Sequence, residues 1–333
     1  MKLQDIGFYT LEDERAKNTS LISSLWRNEL IITSKCNFNC PYCRGTNING
    51  KHGEMSFDDI KYIINLWADN NIQNIRFSGG EPTLHKNIFD IIKYTKSKCK
   101  SIKHIAISTN GYSDIEMYKK LIKLGVNDFS ISLDACCSSI GDMMSGNITG
   151  SWNKVTKNIK ELSKLTYVTV GMVFDEKNCN EIKESIEFAD SLGVSDIRII
   201  TAAQFNDFSI FENLNINKNI LNRNKILKYR INNFKNNRNV RGITKKDCKV
   251  CYLMMDDMIV KGNFHYPCVI HMREHGTPIG SIKNKSIEQI RQERFDYMIS
   301  HNSFKDELCR KNCLDVCIDY NNKVDFFRNE PRN

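Results

Sequence analysis

Short β-rich runs alternate with amphipathic helical stretches between residues 29 and about 200, and this alternation restricts the fold more than any other feature. The six runs cover residues 30–33, 74–78, 104–109, 128–133, 167–174 and 196–200. In the helical stretch 56–70, Ile60, Ile63, Ile64 and Trp67 share one face. Strands that alternate with such helices form parallel βαβ units, and successive right-handed crossovers curl the sheet. The pattern therefore predicts an α/β fold, a partial (β/α)6 TIM-like barrel.

The alternation stops after about residue 205, and the rest of the chain divides into two parts. We predict an amino-terminal extension at 1–27, the barrel at 28–205, a basic helical linker at 206–247 and a small cysteine-rich domain at 248–333. Two short strands are expected around the turn Lys261-Gly262-Asn263, followed by a helix near 286–300.

Positive charge is concentrated in the predicted linker. The chain has a formal charge of +9, and residues 213–249 contain eleven Lys or Arg and one acid, Asp247. Either this stretch is an exposed helix and linker with biased composition, or it is a surface that docks a polyanion.

Thirteen cysteines without a secretion signal indicate metal binding or catalysis rather than disulfides. No apolar run approaches the roughly 18 to 20 residues of a membrane span, so we expect a cytoplasmic protein without a membrane partner. Nine of the cysteines form two groups, and Cys99, Cys136, Cys137 and Cys179 are scattered between them. Three lie at Cys36, Cys40 and Cys43, and six lie between Cys248 and Cys317. Two metal-binding regions are therefore predicted.

The first group, CNFNCPYC, offers three thiolates on a short loop. A cluster of four irons held by three cysteines keeps one iron open for chemistry. The alternative is structural zinc, which usually has C-x2-C pairs and four protein ligands. Because the spacing here is C-x3-C-x2-C, an iron–sulfur cluster is favoured.

Other unusual residues follow the next strands: Ser78-Gly79-Gly80-Glu81-Pro82, Ser108-Thr109-Asn110-Gly111, and Ser132-Leu133-Asp134-Ala135-Cys136-Cys137. The carboxyl ends of parallel strands meet at one edge of the sheet, where sites form. These residues are therefore expected around the same mouth as the cysteine loop.

The C-x3-C-x2-C motif with Tyr42 before its third cysteine, followed by a Gly-Gly-Glu-Pro turn, resembles the radical S-adenosylmethionine (radical SAM) superfamily. The resemblance implies a 4Fe–4S cluster on Cys36, Cys40 and Cys43 that binds S-adenosylmethionine (AdoMet). It also implies reductive cleavage of AdoMet to a 5'-deoxyadenosyl radical that abstracts a substrate hydrogen atom. An oxidoreductase of this kind needs an electron donor such as flavodoxin or ferredoxin.

The same resemblance assigns roles to the residues at the predicted mouth. Glu81 and neighbouring carbonyls are expected to pair with the AdoMet ammonium. Cys136 or Cys137 is a hypothetical hydrogen-atom donor to a substrate radical, with ordinary packing as the alternative. The residues expected to bind AdoMet are Tyr42, Gly79, Gly80, Glu81, Ser108, Asn110, Ser132 and Asp134.

The second cysteine group resembles the SPASM or twitch extension of radical SAM enzymes. The resemblance implies one auxiliary 4Fe–4S cluster, with zinc as the alternative. Cys251, Cys268 and two or three of the terminal trio are the favoured ligands, and Cys248 is a further candidate. The candidate metal ligands of this region are Cys248, Cys251, Cys268, Cys309, Cys313 and Cys317.

The nature of the substrate rests on weaker signals. Peptide-modifying relatives usually carry an amino-terminal unit that grips a leader peptide, and only a short segment precedes the first predicted strand here. Together with the basic stretch, this favours a small-molecule or nucleotide-type substrate. The alternatives are a peptide- or protein-modifying enzyme of the kind that matures ribosomal peptide products (RiPPs), and a zinc-stabilised nucleic-acid-binding module. Nucleic acid is the less favoured partner.

Overall fold

The computed structural model describes residues 11–44, 53–205, 207, 209–212 and 214–329. Nine strands form one sheet in the described part of the chain. The strands are β1 (Arg27–Thr33), β2 (Asn74–Gly79), β3 (His104–Thr109), β4 (Asp128–Ser132), β5 (Tyr167–Phe174), β6 (Asp196–Thr201), β7 (Asp257–Lys261), β8 (Phe264–Tyr266) and β9 (Gly280–Ser281). Their order is β6-β5-β4-β3-β2-β1-β7-β8-β9. In this order, neighbouring strands from β6 through β7 pair in parallel, whereas β8 pairs antiparallel with both β7 and β9.

The six strands predicted from the sequence are confirmed as β1 to β6, with small differences at their ends. The pairing of β7 with β1 was not predicted. These strands run parallel, from Arg27 opposite Asp257 to Ile31 opposite Lys261. The hairpin of the cysteine-rich region therefore continues the barrel sheet and lies beside the strand that leads into the first cysteine group.

The helices cover one face of the sheet and build the cysteine-rich region. They are α1 (Asp13–Asn18), α2 (Phe57–Asp69), α3 (Ile88–Lys98), α4 (Ile115–Leu124), α5 (Ser138–Met144), α6 (Ser151–Leu162), α7 (Ile182–Ser191), α8 (Lys218–Arg223), α9 (Lys225–Lys235), α10 (Leu253–Asp256), α11 (Val269–Arg273), α12 (Ile287–Ser300), α13 (Glu307–Asn312) and α14 (Asp315–Asn329). None of the helices in the described segments is long and apolar enough to cross a bilayer.

Helix α2 shows how the local sequence positions this layer. Its amino terminus is capped by the Ser56 side chain, which accepts a hydrogen bond from the Asp59 amide. The predicted apolar face is buried through Ile60, Ile63, Ile64 and Trp67. Each such side chain contributes roughly 1.5–3 kcal/mol when it is fully buried. This face packs in the same hydrophobic core as the outward side chains of β1 to β6.

The opposite face of the sheet is polar. Glu29 on β1 is in register with Arg76 on β2, and Asp128 on β4 lies in the same row through Ala106. These side chains alternate with the apolar residues that face the helices, as the period of a strand requires. The polar interior opens at the carboxyl edge, where all the predicted site residues of the barrel lie.

The basic stretch is only partly exposed. Leu227 and Ile231 of α9 belong to the main hydrophobic core. Between them Arg230 is fully buried, and its Nη2 lies 3.2 Å from Oδ1 of Asp315 in α14. The stretch therefore packs against the barrel and the carboxyl-terminal helix, which the exposed-linker interpretation did not anticipate. The division into four segments stays a prediction.

Candidate functional site

Cys36, Cys40 and Cys43 lie on the loop after β1, at the carboxyl edge of the sheet. The Cys43 amide donates to the carbonyl oxygen of Cys40 at 3.0 Å, and the Phe38 amide donates to Sγ of Cys36 at 3.4 Å. The three thiols are electrostatic neighbours, and burial is the main cause that raises the pKa of Cys40 to about 12. Since bound metal displaces thiol protons, such a group of thiols suits a metal cluster.

The Gly79-Gly80 turn packs directly against the backbone of this loop. The Gly80 amide donates to the Thr33 carbonyl at 2.8 Å, and the Glu81 amide donates to the Lys35 carbonyl at 2.7 Å. A Cβ atom on Gly79 would lie 2.2 Å from the Thr33 oxygen, and one on Gly80 would lie 2.3 Å from the Lys35 oxygen. Only glycine permits this approach. The turn therefore holds the segment that leads into Cys36.

The Glu81 carboxylate is fully buried and joins the turn to the end of β3. It accepts hydrogen bonds from the Thr83 amide at 3.1 Å and hydroxyl at 2.7 Å, from the Thr109 hydroxyl at 2.8 Å and from the Asn110 amide at 2.7 Å. Burial raises its pKa. The carboxylate thus satisfies several internal donors. A role of Glu81 in AdoMet binding stays a prediction, and the carboxylate acts here as a positioning group.

Asn110 and Asp134 contact the cysteine loop from two sides. Nδ2 of Asn110 donates to Oδ1 of Asn37 at 2.7 Å. The Tyr42 hydroxyl donates to Oδ2 of Asp134 at 2.5 Å, and the Val173 amide donates to Oδ1 at 2.8 Å. Burial raises the pKa of Asp134 to about 6. Asn110, Tyr42 and Asp134 thus fix the loop on the strand ends, as their predicted location at the mouth requires.

The other residues predicted at this edge divide into two groups. Ser108 is half-buried and Ser132 is exposed, and both lie at strand ends on the face away from the helices. Cys136 and Cys137 instead contact Glu181 just before α7, with Sγ to Oε2 distances of 3.3 and 3.7 Å. Burial raises the pKa of Cys136 to about 11. The hydrogen-donor hypothesis for these two thiols stays a prediction.

Five cysteines come together in the carboxyl-terminal region. Cys251 and Cys268 are electrostatic neighbours, and each member of the terminal trio, Cys309, Cys313 and Cys317, is a neighbour of both. Burial raises the pKa of Cys268 to about 12. Residues from before the β7–β8 hairpin, after it and from the terminal trio therefore meet at one point, as predicted for an auxiliary cluster.

The contacts that the structure gives for Cys248 are with residues other than these five cysteines. Its Sγ is 3.4 Å from the Val250 carbonyl oxygen. At the border of the group, Sγ of Cys309 lies 3.7 Å from Nε2 of His301, which in turn is 3.7 Å from Oδ2 of Asp306. Polar groups thus surround Cys309, and the membership of Cys248 in the ligand set stays a prediction.

Two cavities lie beside the cysteine loop, and of their lining residues the sequence reasoning identified only Tyr42. One of about 240 Å³ is lined by Arg44, Ala203, Gln204, Arg273, Glu274 and His275. The other, of about 260 Å³, is lined by Pro41, Tyr42, Asp175, Glu176, Lys177, Ala202, Gln204 and Phe205. Gln204 borders both, and its Nε2 donates to the Tyr42 carbonyl at 3.2 Å. The sequence offered one signal for the first cavity, namely that Arg44 directly follows Cys43.

Both cysteine groups fit iron–sulfur clusters by the chemistry of their donors. Sulfur-only donor sets select soft metal centres, namely iron–sulfur clusters or zinc. The first group offers three thiols, which suits a cluster with an open iron, and the glycine turn lets backbone approach the site closely. The second offers five thiols, enough to ligate a closed cluster.

Residues 30–189 match the Radical SAM superfamily. A probable GTP 3',8-cyclase of Sulfolobus acidocaldarius is 31% identical over 175 residues, which are 51% of this chain and 54% of that protein. The GTP 3',8-cyclase of Mannheimia succiniciproducens is 33% identical over 146 residues, 41% of each chain. The chain thus spans about half the length of the curated relatives it matches.

Solved structures confirm the fold over a longer range. The structure of anSMEcpe with bound AdoMet superimposes with a TM-score of 0.58 at 14% identity, and covers 90% of this chain and 96% of that one. SuiB of Streptococcus suis bound to S-adenosylmethionine gives a TM-score of 0.57 at 13% identity, over 80% and 65% of the chains. These structures show the fold, and the family match identifies residues 30–189 of this chain as a radical SAM domain.

Proposed function

We propose that this protein is a radical SAM enzyme that removes a hydrogen atom from a small-molecule or nucleotide-type substrate. The observation that carries the proposal is the three-thiol loop hydrogen-bonded to the Gly79-Gly80 turn at the open edge of the sheet. In this family, a 4Fe–4S cluster and AdoMet supply a 5'-deoxyadenosyl radical after one-electron reduction. Cys36, Cys40 and Cys43 are the ligands for that cluster.

The surrounding residues of the chain hold the loop and limit its motion. Glu81 joins the glycine turn to β3, while the Tyr42–Asp134 hydrogen bond joins the loop to β4. Because both carboxylates are buried, these contacts are shielded from competing water. Such support positions a reactive group and keeps solvent from a radical, which is the protein's part in cofactor chemistry. Ser108 and Ser132 remain open to a ligand on the same face.

The carboxyl-terminal group is proposed to bind one auxiliary 4Fe–4S cluster. Cys251, Cys268 and the terminal trio offer five thiols for four ligand positions. A cluster there is able to exchange electrons with a substrate radical. The electron for AdoMet cleavage comes from an external reductant, for which flavodoxin or ferredoxin is the proposed partner.

A nucleotide-type substrate is supported by the matched relatives, which are named GTP 3',8-cyclases. Their similarity covers about half of each protein, so the substrate of this chain is a proposal. The polar interior of the barrel and the two cavities beside the cysteine loop provide room for a charged small molecule.

Anaerobic reconstitution tests the proposal. Iron, sulfide and zinc are measured, and 5'-deoxyadenosine is assayed after AdoMet and dithionite are added, with and without GTP. The wild type is compared with the triple alanine variant of Cys36, Cys40 and Cys43, and with Cys179→Ala as a cysteine control outside both groups. We expect about eight irons in the wild type and control, and about four irons without deoxyadenosine in the triple variant.

Other results would contradict parts of the proposal. Deoxyadenosine formation by the triple variant would contradict the claim that these three cysteines hold the cluster that cleaves AdoMet. About four irons with bound zinc in the wild type would make the carboxyl-terminal site structural. If added GTP is not consumed and does not change deoxyadenosine formation, GTP is not the substrate.

A further inference from the structure

A group of polar side chains surrounds Cys309 in the carboxyl-terminal region. The potential ligand atoms of His301, Asp306 and Cys309 all lie within 4.8 Å of one another. Nε2 of His301 is 3.7 Å from Sγ of Cys309 and 3.7 Å from Oδ2 of Asp306. Nε2 of His271 lies 3.8 Å from the same carboxylate oxygen. Two imidazoles, one carboxylate and one thiol therefore meet in a small space.

Three helical elements supply these four side chains. His271 lies in α11, His301 directly follows α12, and Asp306 and Cys309 belong to the start of α13. Oδ1 of Asp306 accepts a hydrogen bond from the Cys309 amide at 2.9 Å, so Oδ2 is the oxygen that faces the two imidazoles. The His301 ring stacks on Tyr297 with ring centroids 5.0 Å apart. Local contacts thus fix the orientation of both Asp306 and His301.

Hydrogen bonds do not account for this arrangement. The side chain of His271 is only 5% exposed, and its Nδ1 has no hydrogen-bond partner among the described residues. The nitrogen–oxygen distances of 3.7 and 3.8 Å exceed a hydrogen bond. Zinc bonds of about 2.0–2.2 Å to nitrogen or oxygen and about 2.3 Å to sulfur place tetrahedral ligands about 3.4–3.6 Å apart. The group is therefore within about 0.4 Å of the spacing that a zinc ion requires.

The charges of the group also match a divalent cation. A Cys309 thiolate and the Asp306 carboxylate carry two negative charges, and two neutral imidazoles add none. A bound Zn²⁺ balances this charge, and the thiol proton that it displaces passes to solvent. In the described part of the chain, the ion-pair partners of Asp306 are the two histidines, His271 and His301. A partly buried site with no net charge avoids the desolvation cost of an unpaired ion.

Cys309 is also the thiol that a closed auxiliary cluster can spare. Five thiols exceed the four ligand positions of a 4Fe–4S cluster by one. The other four cysteines are electrostatic neighbours in every pair, namely Cys251, Cys268, Cys313 and Cys317. These four fill the cluster by themselves. Cys309 is then free to bind a different metal together with the histidines and the aspartate beside it.

We propose that His301, Asp306 and Cys309 bind one zinc ion and that His271 completes its coordination. The site is additional to both iron–sulfur clusters, and it goes beyond the proposed function because it takes no part in AdoMet cleavage. Mixed sulfur, nitrogen and oxygen donors suit zinc, which imposes no geometry of its own and has no redox chemistry. The ion ties α11 and α13 to the end of α12. Since the His271 amide donates to Sγ of Cys268 at 3.4 Å, the zinc site also supports the auxiliary cluster.

Metal analysis tests the inference on protein that is reconstituted anaerobically with iron and sulfide, supplied with zinc and freed of loosely bound metal. The variants are His301→Gln, Cys309→Ser and Cys313→Ser, with His104→Gln at the start of β3 as a histidine control. We expect about eight irons and about one zinc in the wild type and the control. His301→Gln and Cys309→Ser keep the irons and bind zinc at least tenfold more weakly, about 1.4 kcal/mol, in competition with a fluorescent chelator. Cys313→Ser shows the reverse, because it loses about four irons and keeps the zinc.

X-ray absorption at the zinc edge identifies the ligands independently of iron. We expect one sulfur at about 2.3 Å and three nitrogen or oxygen ligands at about 2.0–2.2 Å, two of them imidazoles. Four sulfur ligands, a wild type without bound zinc, or a Cys309→Ser variant that loses irons and keeps zinc overturns the inference. If Cys309→Ser does not fold, the zinc affinity of His301→Gln decides. Absence of deoxyadenosine formation in the wild type overturns the proposed function and not the zinc site.

Discussion

Replacing Gly80 with alanine tests whether the glycine turn holds the cysteine loop. The added Cβ would lie 2.3 Å from the Lys35 carbonyl oxygen, whereas ordinary contact begins at 3.4 Å. The two segments must therefore separate by about 1 Å, which stretches the hydrogen bonds from Gly80 to Thr33 and from Glu81 to Lys35 beyond normal length. Two lost hydrogen bonds at about 1 kcal/mol each, with about 1 kcal/mol or more of steric strain, destabilise the protein by about 2–4 kcal/mol.

Thermal unfolding, iron content and deoxyadenosine formation measure this effect. For a chain of 333 residues, a loss of about 2–4 kcal/mol corresponds to a midpoint lowered by roughly 3–6 °C. The control is Gly53→Ala, because a Cβ at Gly53 meets no atom within 4 Å. We expect the control to match the wild type, and Gly80→Ala to lose stability and AdoMet cleavage. If Gly80→Ala behaves like the control in all three assays, the close approach of turn and loop does not support the site.

Further predictions concern burial and ligand assignment. Glu81→Ala leaves buried donors of Thr109 unsatisfied and should lower the free energy of unfolding by about 2–4 kcal/mol, measured by urea unfolding. Burial raises the pKa of Asp196 from 3.8 to about 6, so the folded state binds this proton more tightly than the unfolded state. The free energy of unfolding should therefore fall as the pH rises from about 4 to about 6. Asp196→Asn should reduce this fall by up to roughly 3 kcal/mol, measured by urea unfolding across that range. Cys248→Ser should keep about eight irons and Cys251→Ser should lose about four, measured by iron analysis; equal losses would place Cys248 in the cluster.

The strands and the mouth of the barrel were predictable because their signals are local. Alternating apolar residues mark each strand, and the face of α2 that contains Ile60 and Trp67 is readable from helical spacing. Parallel strands place their carboxyl ends at one edge, so Cys36, Gly80 and Asn110 were expected near one another from topology alone. The hydrogen bonds among these loops confirm that expectation.

Tertiary partners account for what the sequence could not predict. The sequence did not indicate that Thr83, Thr109 and the Asn110 amide donate hydrogen bonds to the Glu81 carboxylate, because these contacts depend on how two strand ends meet. Arg241 stands in a stretch that is polar by composition, and its burial follows from packing against residues far along the chain. Local patterns do not record such contacts.

The pairing of β7 with β1 has a consequence for assembly of the chain. Without β7, β1 would be an edge strand, with unpaired backbone groups next to the apolar side chains Leu30 and Ile32. Exposed edges of this kind template aggregation. This pairing places Arg27 opposite Asp257, which is far along the chain. The edge of β1 therefore stays unpaired until most of the polypeptide is available to fold. Truncation ahead of β7 should therefore yield an insoluble barrel, and completion of the sheet and formation of the carboxyl-terminal cysteine group should occur in the same folding step.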